Sequence, residues 1–207
     1  MMKGILQLVA LAMSVHVMAQ SDSLSIIEDI KKHQNSVNDF YRDPKRSPLA
    51  ASDRKSFEGI PFFPINLEYR VKARLIRTEN TPFFGLATTT SRLAMNRLFG
   101  YLEFTLQGKA FRMPVYQSRD FIEKPGYADH LFFLFTDRTN GHDSYTGGRY
   151  IDLRVPEQGD EVIIDFNKSY NPYCAYNPRY SCPVVPAEND MDIEVRAGVS
   201  YKKKLRL

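Results

Sequence analysis

After Gly59 the apolar residues stop recurring every three or four positions and begin to alternate. That change of period limits the chain to a sheet protein whose helices are confined to its beginning. Tyr69, Val71, Ala73 and Leu75 alternate with Arg70, Lys72 and Arg74, the pattern of a strand with one buried and one wet face. Leu102, Phe104 and Leu106 repeat it. After a turn at Gly108 and Lys109 the apolar face resumes at Phe111, Met113 and Val115, so these two runs form a hairpin. Pro114 has no N–H for a ladder, which places the second arm at an edge or a bulge. Residues 81–90, 149–155 and 161–166 are further strands, the last two joined by a turn over 156–160. Residues 131–135 are apolar throughout and are expected to be buried on both faces. Residues 193–195 and the terminal segment are expected to close the sheet. The fold class that follows is mainly β, an antiparallel barrel or sandwich.

The helical part comes first. Over residues 21–42, Ile27, Ile30, Val37, Phe40 and Tyr41 recur at helical spacing, one stripe to lay across the sheet. Ser25 and Glu28 fit a capping box, and Asp43 before Pro44 ends the helix. Ser47 before Pro48 fits the cap and first turn of a second, short helix. Ahead of all this, residues 1–19 carry one lysine, an apolar run, and Val17 and Ala19 before Gln20, the features of a secretory signal peptide. The apolar run is too short to be read as a membrane span. The chain thus divides into a signal peptide (1–19), a helical segment (20–58) and a β-rich domain with a basic tail (59–207). The mature protein is expected to be soluble and exported, periplasmic or extracellular, and not integral to a membrane.

The formal charge of +4 does not point to nucleic acid. Four basic residues lie in the last seven positions and Lys3 lies in the leader; taking these five from 28 leaves 23 against 24 acidic residues. A neutral body with a basic end is a solubilising arrangement. No nucleic-acid partner, cofactor or metal is expected.

Arg149 is the most informative single residue. Strand parity puts it on the apolar face with Ile151, Leu153 and Val155, where an unpaired charge costs several kcal/mol. Asp137 and Asp165, both at strand ends, are the partners within reach. Two roles stay open: a salt bridge pinning the turn before Arg149, or an arginine on a pocket floor that grips an anionic group, with Gly147 and Gly148 allowing close approach. Asp137 and Asp165 also have the residue types of an acid–base pair for hydrolysis. His142 with Cys174 and Cys182 has metal-ligand chemistry but lacks the tight spacing of zinc motifs. Cys174 and Cys182 are the only cysteines in a chain expected outside the cytoplasm, so a disulfide is the first expectation, contributing about 2–3 kcal/mol for a loop of this size. Tyr170, Tyr173, Tyr176 and Tyr180, with four prolines, make the surrounding loop stiff and rich in polar tips.

Several stretches resemble a bacterial family, the domain of unknown function numbered 1684. They are Phe135-Thr136-Asp137, Ser144-Tyr145 with Gly147 to Tyr150, Asp165-Phe166-Asn167, Tyr170-Asn171-Pro172, Cys174-Ala175-Tyr176 and Ser181-Cys182-Pro183. Pro186 with Glu188-Asn189, Ala197-Gly198, Ser47-Pro48-Leu49 and Phe57-Glu58-Gly59 extend it over roughly 26–198. Tyr173 stands where the family has a second proline, and His142 where it has an acidic residue. The resemblance brings no activity. It implies that these residues belong together in one site or one structural knot.

The function expected from the residues is a binding or interaction domain for a small polar or anionic ligand or a protein partner. Its site is expected around Arg149, Asp137, Asp165, Asn167, Tyr170 and Asn171. The alternative is a hydrolase using Asp137 and Asp165 in the same place. Export is directly testable: N-terminal sequencing of protein recovered outside the cytoplasm should begin near Gln20, and soluble protein retaining Met1 would contradict it.

Overall fold

The computed structural model describes residues 2–201, with side chains from residue 22 onward. The signal peptide expected over 1–19 and the basic tail beyond Tyr201 lie outside the residues whose side chains are described. α1 (Met2–Arg42) presents the foreseen stripe: Ile30 is fully buried and Tyr41 nearly so. Val37, Phe40 and Tyr41 pack with Leu49, Ile60 and Val199 in a small core outside the sheet. The capping box at Ser25 does not form. Ser25 lies inside α1 and its Oγ donates back to the Asp22 carbonyl at 2.8 Å, the in-helix alternative for a serine whose upstream neighbours are also helical. The second helix, α2 (Ala51–Lys55), also starts later than expected. Ser47 is buried, donates to the Tyr41 carbonyl at 2.6 Å and accepts from the Leu49 N–H, so it ties the chain to the end of α1 instead of capping α2.

The described residues form eight strands: β1 (Arg70–Arg77), β2 (Phe84–Ala87), β3 (Leu93–Leu106), β4 (Lys109–Ser118), β5 (His130–Asp137), β6 (Arg149–Arg154), β7 (Glu161–Asp165) and β8 (Asp190–Met191). They pair antiparallel in the order β6-β5-β4-β3-β1-β7, with β2 on β3 and the short β8 parallel to β5. β6 and β7, the two ends of this order, approach one another, so the sheet wraps into a nearly closed barrel. The hairpin between β3 and β4 turns at Gln107 and Gly108, one residue earlier than expected, both with positive φ as a two-residue turn requires. Alternate residues fill the interior, among them Leu75, Leu102, Phe104, Val115, Phe133, Phe135, Ile164 and Phe166. A fully buried side chain of this size contributes about 1.5–3 kcal/mol.

Of the two places expected for Pro114, an edge or a bulge, the structure gives the second: β4 is internal to the strand order, and its register with β3 shifts between Leu98 and Gly100, opposite Tyr116 and Val115 beside Pro114. The ladder also lapses there: β4 and β5 pair only at Tyr116 and Phe132, and Asn189 fills the opening by donating Nδ2 to the carbonyls of Pro114 (2.9 Å) and Leu134 (2.8 Å). A proline inside a sheet is tolerated because a side-chain amide replaces the missing rung. Residues 193–201, expected to help close the sheet, do not add a strand. They run as an irregular segment across one end of the barrel, where Val195, Ala197 and Val199 are buried.

Candidate functional site

Arg149 opens β6 and points inward, as its parity requires, but into a filled space. Its guanidinium is 0% exposed. Nη2 donates to Asp137 Oδ2 and to the Val195 carbonyl, each at 2.7 Å; Nη1 donates to the carbonyls of Ala197 (2.6 Å) and Val199 (3.3 Å). The rings of Phe135 and Phe63 lie 5.1 and 5.8 Å from its central carbon. Burial draws the guanidinium below its ordinary pKa, and the Asp137 carboxylate opposes that by favouring the charge. Asp137 is equally engaged: Oδ1 accepts from Thr139 N–H (2.9 Å), Thr139 Oγ1 (2.6 Å) and Val195 N–H (3.2 Å). One carboxylate thus fastens the start of the turn, the arginine and the C-terminal segment.

The turn from Asp137 to Gly148 is held by its own polar side chains. Asn140 Oδ1 accepts from Asp137 N–H at 2.6 Å, and its Nδ2 donates to Ser144 Oγ and the Tyr145 carbonyl, each at 2.8 Å. Gly148, with φ of +83°, allows close approach as expected, but to protein: a Cβ there would lie 2.6 Å from the Phe135 carbonyl and 2.7 Å from Val185. Gly198 is similar, since a methyl would collide with Ser169 Oγ and the Phe166 carbonyl.

Asp165 stands apart from Asp137. It ends β7, accepts from Asn167 N–H (3.0 Å) and Nδ2 (2.9 Å), and its ion partner is Arg70 at 3.7 Å. No hydrogen bond or shared partner joins the two aspartates among the described residues. Asn167, fully buried, exchanges two hydrogen bonds with the Asn66 backbone and so acts as a rung of ladder. Tyr170 is half-buried. It exchanges backbone hydrogen bonds with Tyr150 and donates its hydroxyl to Asp152 Oδ1 at 2.9 Å. Asn171 is buried and donates to the Tyr176 hydroxyl at 2.9 Å, while its Oδ1 has no protein partner.

The structure therefore gathers Arg149 with Asp137 on the C-terminal segment, and Asp165 with Asn167 on a separate anchor against Asn66 and Arg70. It also brings in residues not singled out beforehand. Asp152 accepts from Tyr170 and lies 2.9 Å from His130 Nε2, and Asn189 bridges β4 and β5. Asp152 sits at an outward, exposed position of β6. Two open depressions, one along α1 between Glu28 and Asp39 and one over β1 and β3 around Arg74 and Glu103, contain none of the candidate residues.

The disulfide is not formed. Cys174 and Cys182 are near one another but carry free thiols, and Cys174 N–H donates to Cys182 Sγ at 3.3 Å. His142 does not join them, and no group of three metal-ligating side chains occurs among the described residues.

A family described as a protein of unknown function, DUF1684, matches residues 55–200. The chain belongs to this family. No curated protein matches this DUF1684 chain. Among solved structures, it is similar to the solution NMR structure of an uncharacterized protein of Haloarcula marismortui, at 28% identity and a TM-score of 0.70, over 89% of this chain and 98% of that one. That likeness shows a shared fold over nearly the whole of both chains.

Removing one partner of a buried ion pair costs about 3–5 kcal/mol, because the other charge is left uncompensated. Arg149→Ala in this DUF1684 domain is expected to lose that much stability in urea melts. A loss within about 0.5 kcal/mol, the range of ordinary surface changes, would show that the guanidinium is not the anchor its contacts describe.

Proposed function

We propose that this DUF1684 protein is an exported binding domain for a small polar or anionic ligand or a protein partner. In this proposal Arg149, Asp137, Asp165, Asn167 and Asn171 are the buried frame of the site, with Tyr170 at its margin. The observation that carries it is the state of the two candidate carboxylates. A general acid or base must reach the proton it moves; Asp137 is 5% exposed, Asp165 is 8% exposed, and both are already accepting hydrogen bonds from their own neighbours. Such carboxylates hold a scaffold.

What the frame supports is an aromatic and cationic rim. Tyr173 is 38% exposed and packs against Phe40 of α1 and against Tyr180. The Arg179 guanidinium lies 4.8 Å from the Tyr180 ring and donates to its hydroxyl at 2.8 Å. Arg92 donates to the Ser181 carbonyl at 3.0 Å. A guanidinium on the Tyr180 ring, with a second one bonded to the neighbouring Ser181, suits a ligand with an anionic group and a flat or polar body. The leader over residues 1–19 supports export. Among the described residues no helix is long and apolar enough to cross a membrane.

The test is a thermal-shift screen of purified mature protein against small carboxylates, phosphate esters and sulfated sugars. A ligand that raises the melting temperature of wild type should bind at least tenfold more weakly when Tyr173→Ala and Arg179→Ala are combined. Turnover of a chromogenic ester or glycoside that Asp165→Asn abolishes would overturn the proposal in favour of a hydrolase.

A further inference from the structure

The loop that carries Cys174 and Cys182 holds them unequally. Cys182 is 7% exposed and its backbone is hooked to the strip after β2: its N–H donates to Thr89 Oγ1 at 3.2 Å, and its carbonyl accepts from Thr89 N–H at 2.9 Å. Cys174 lies on the short turn Tyr173–Ala175 and is only partly buried. Cys174 N–H donates to Cys182 Sγ at 3.3 Å, and Tyr145 Oη stands 3.9 Å from Cys174 Sγ. One sulfur is open to approach, and the other waits behind it on an anchored segment.

Their ionisation follows the same division. The hydrogen bond from Cys182 draws the Cys174 thiol down to about 6, against burial and with help from Tyr145 and Thr89. Cys182 moves the other way, because the same hydrogen bond keeps its proton and burial disfavours its charge. Of the two, Cys174 is the one that gives up its proton first. The thiolate is the form that attacks. This places a nucleophile outside and its hydrogen-bonded neighbour inside.

We propose that Cys174 and Cys182 are a reversible thiol–disulfide exchange pair, in which Cys174 attacks an external disulfide and Cys182 resolves the product. In the first step Cys174 Sγ forms a bond to one sulfur of a small or peptide disulfide, whose S–S bond breaks and releases one thiolate. In the second, Cys182 gives up its proton and attacks Cys174 Sγ, closing the internal bridge and releasing the second thiolate. The protein loses two protons and two electrons; the external disulfide gains them and leaves as two thiols. Excess external thiol runs both steps backwards. Nothing in this depends on what the tyrosine rim binds.

The full mature chain, equilibrated with mixtures of oxidised and reduced glutathione and then trapped with a maleimide, gives the populations by intact mass. The expected result is a bridged form that rises with oxidised glutathione and reopens with reduced glutathione. Cys182→Ser should then accumulate a glutathione mixed disulfide at Cys174. In wild type, brief iodoacetamide labelling at pH 6.5 with peptide mass analysis should modify Cys174 at least tenfold faster than Cys182. That measurement needs no variant to fold. Two thiols that stay labelable in excess oxidised glutathione, a bridge that native-state reductant never opens, or equal labelling of both cysteines would each overturn the proposal.

Discussion

The ion pair between Arg149 and Asp137 is the constraint on which the rest of this structure depends. An arginine inside a barrel is tolerable only if its charge is paired and most of its donors find partners there, and of the Arg149 side-chain nitrogens Nε alone has none among the described residues. Here the partners are one carboxylate and the carbonyls of Val195, Ala197 and Val199, all on the last stretch of described chain. The charge therefore does more than balance Asp137. It selects the one path by which residues 195–199 can cross the end of the barrel. That path in turn lets Gly198 meet Phe63 and Val199 meet Ser169 through backbone hydrogen bonds. The apolar core is non-directional; the arginine supplies the direction.

A second regularity is the use of amide side chains as pieces of ladder. Asn167 pairs with the Asn66 backbone, Asn189 spans the opening that Pro114 leaves between β4 and β5, and Asn140 closes the turn after β5. Each satisfies backbone groups that would otherwise be buried without partners, at a cost of about 1–3 kcal/mol apiece. This is how a C-terminal segment with little regular structure remains packed on the barrel. It also explains why the tyrosine-rich loop can be irregular and still carry an ordered rim.

Much of this was legible in the residues before any coordinates. The two-residue alternation marked most of the strands, and Arg149 among Ile151 and Leu153 required an internal partner near Asp137. What was not legible came from distance and competition. Asn189 has no periodicity to mark it, and its role exists only because Pro114, far away in sequence, breaks a ladder. Asp152 is exposed on β6 and gains its partners from Tyr170 and His130. Ser25 and Ser47 each had cap-like neighbours, but a serine can bond to several nearby backbone groups, and the continuing helix or the returning chain took precedence. The cysteine pair was read as a bridge from compartment and count alone. Those say nothing of the unequal exposure that separates Cys174 from Cys182.

The central claim is that the Arg149–Asp137 pair holds the crossing segment, and amide hydrogen exchange on Asp137→Asn tests it most directly. This substitution keeps the shape of the side chain, removes its charge and turns one of its two accepting oxygens into a donor. The account predicts that the amides of Val195, Val199, Ser200 and Phe63 exchange roughly tenfold faster or more, an opening easier by about 1.4 kcal/mol. The ladder between β3 and β4 should keep its protection. Unchanged exchange at those four amides, or an equal loss across the whole barrel, would contradict it.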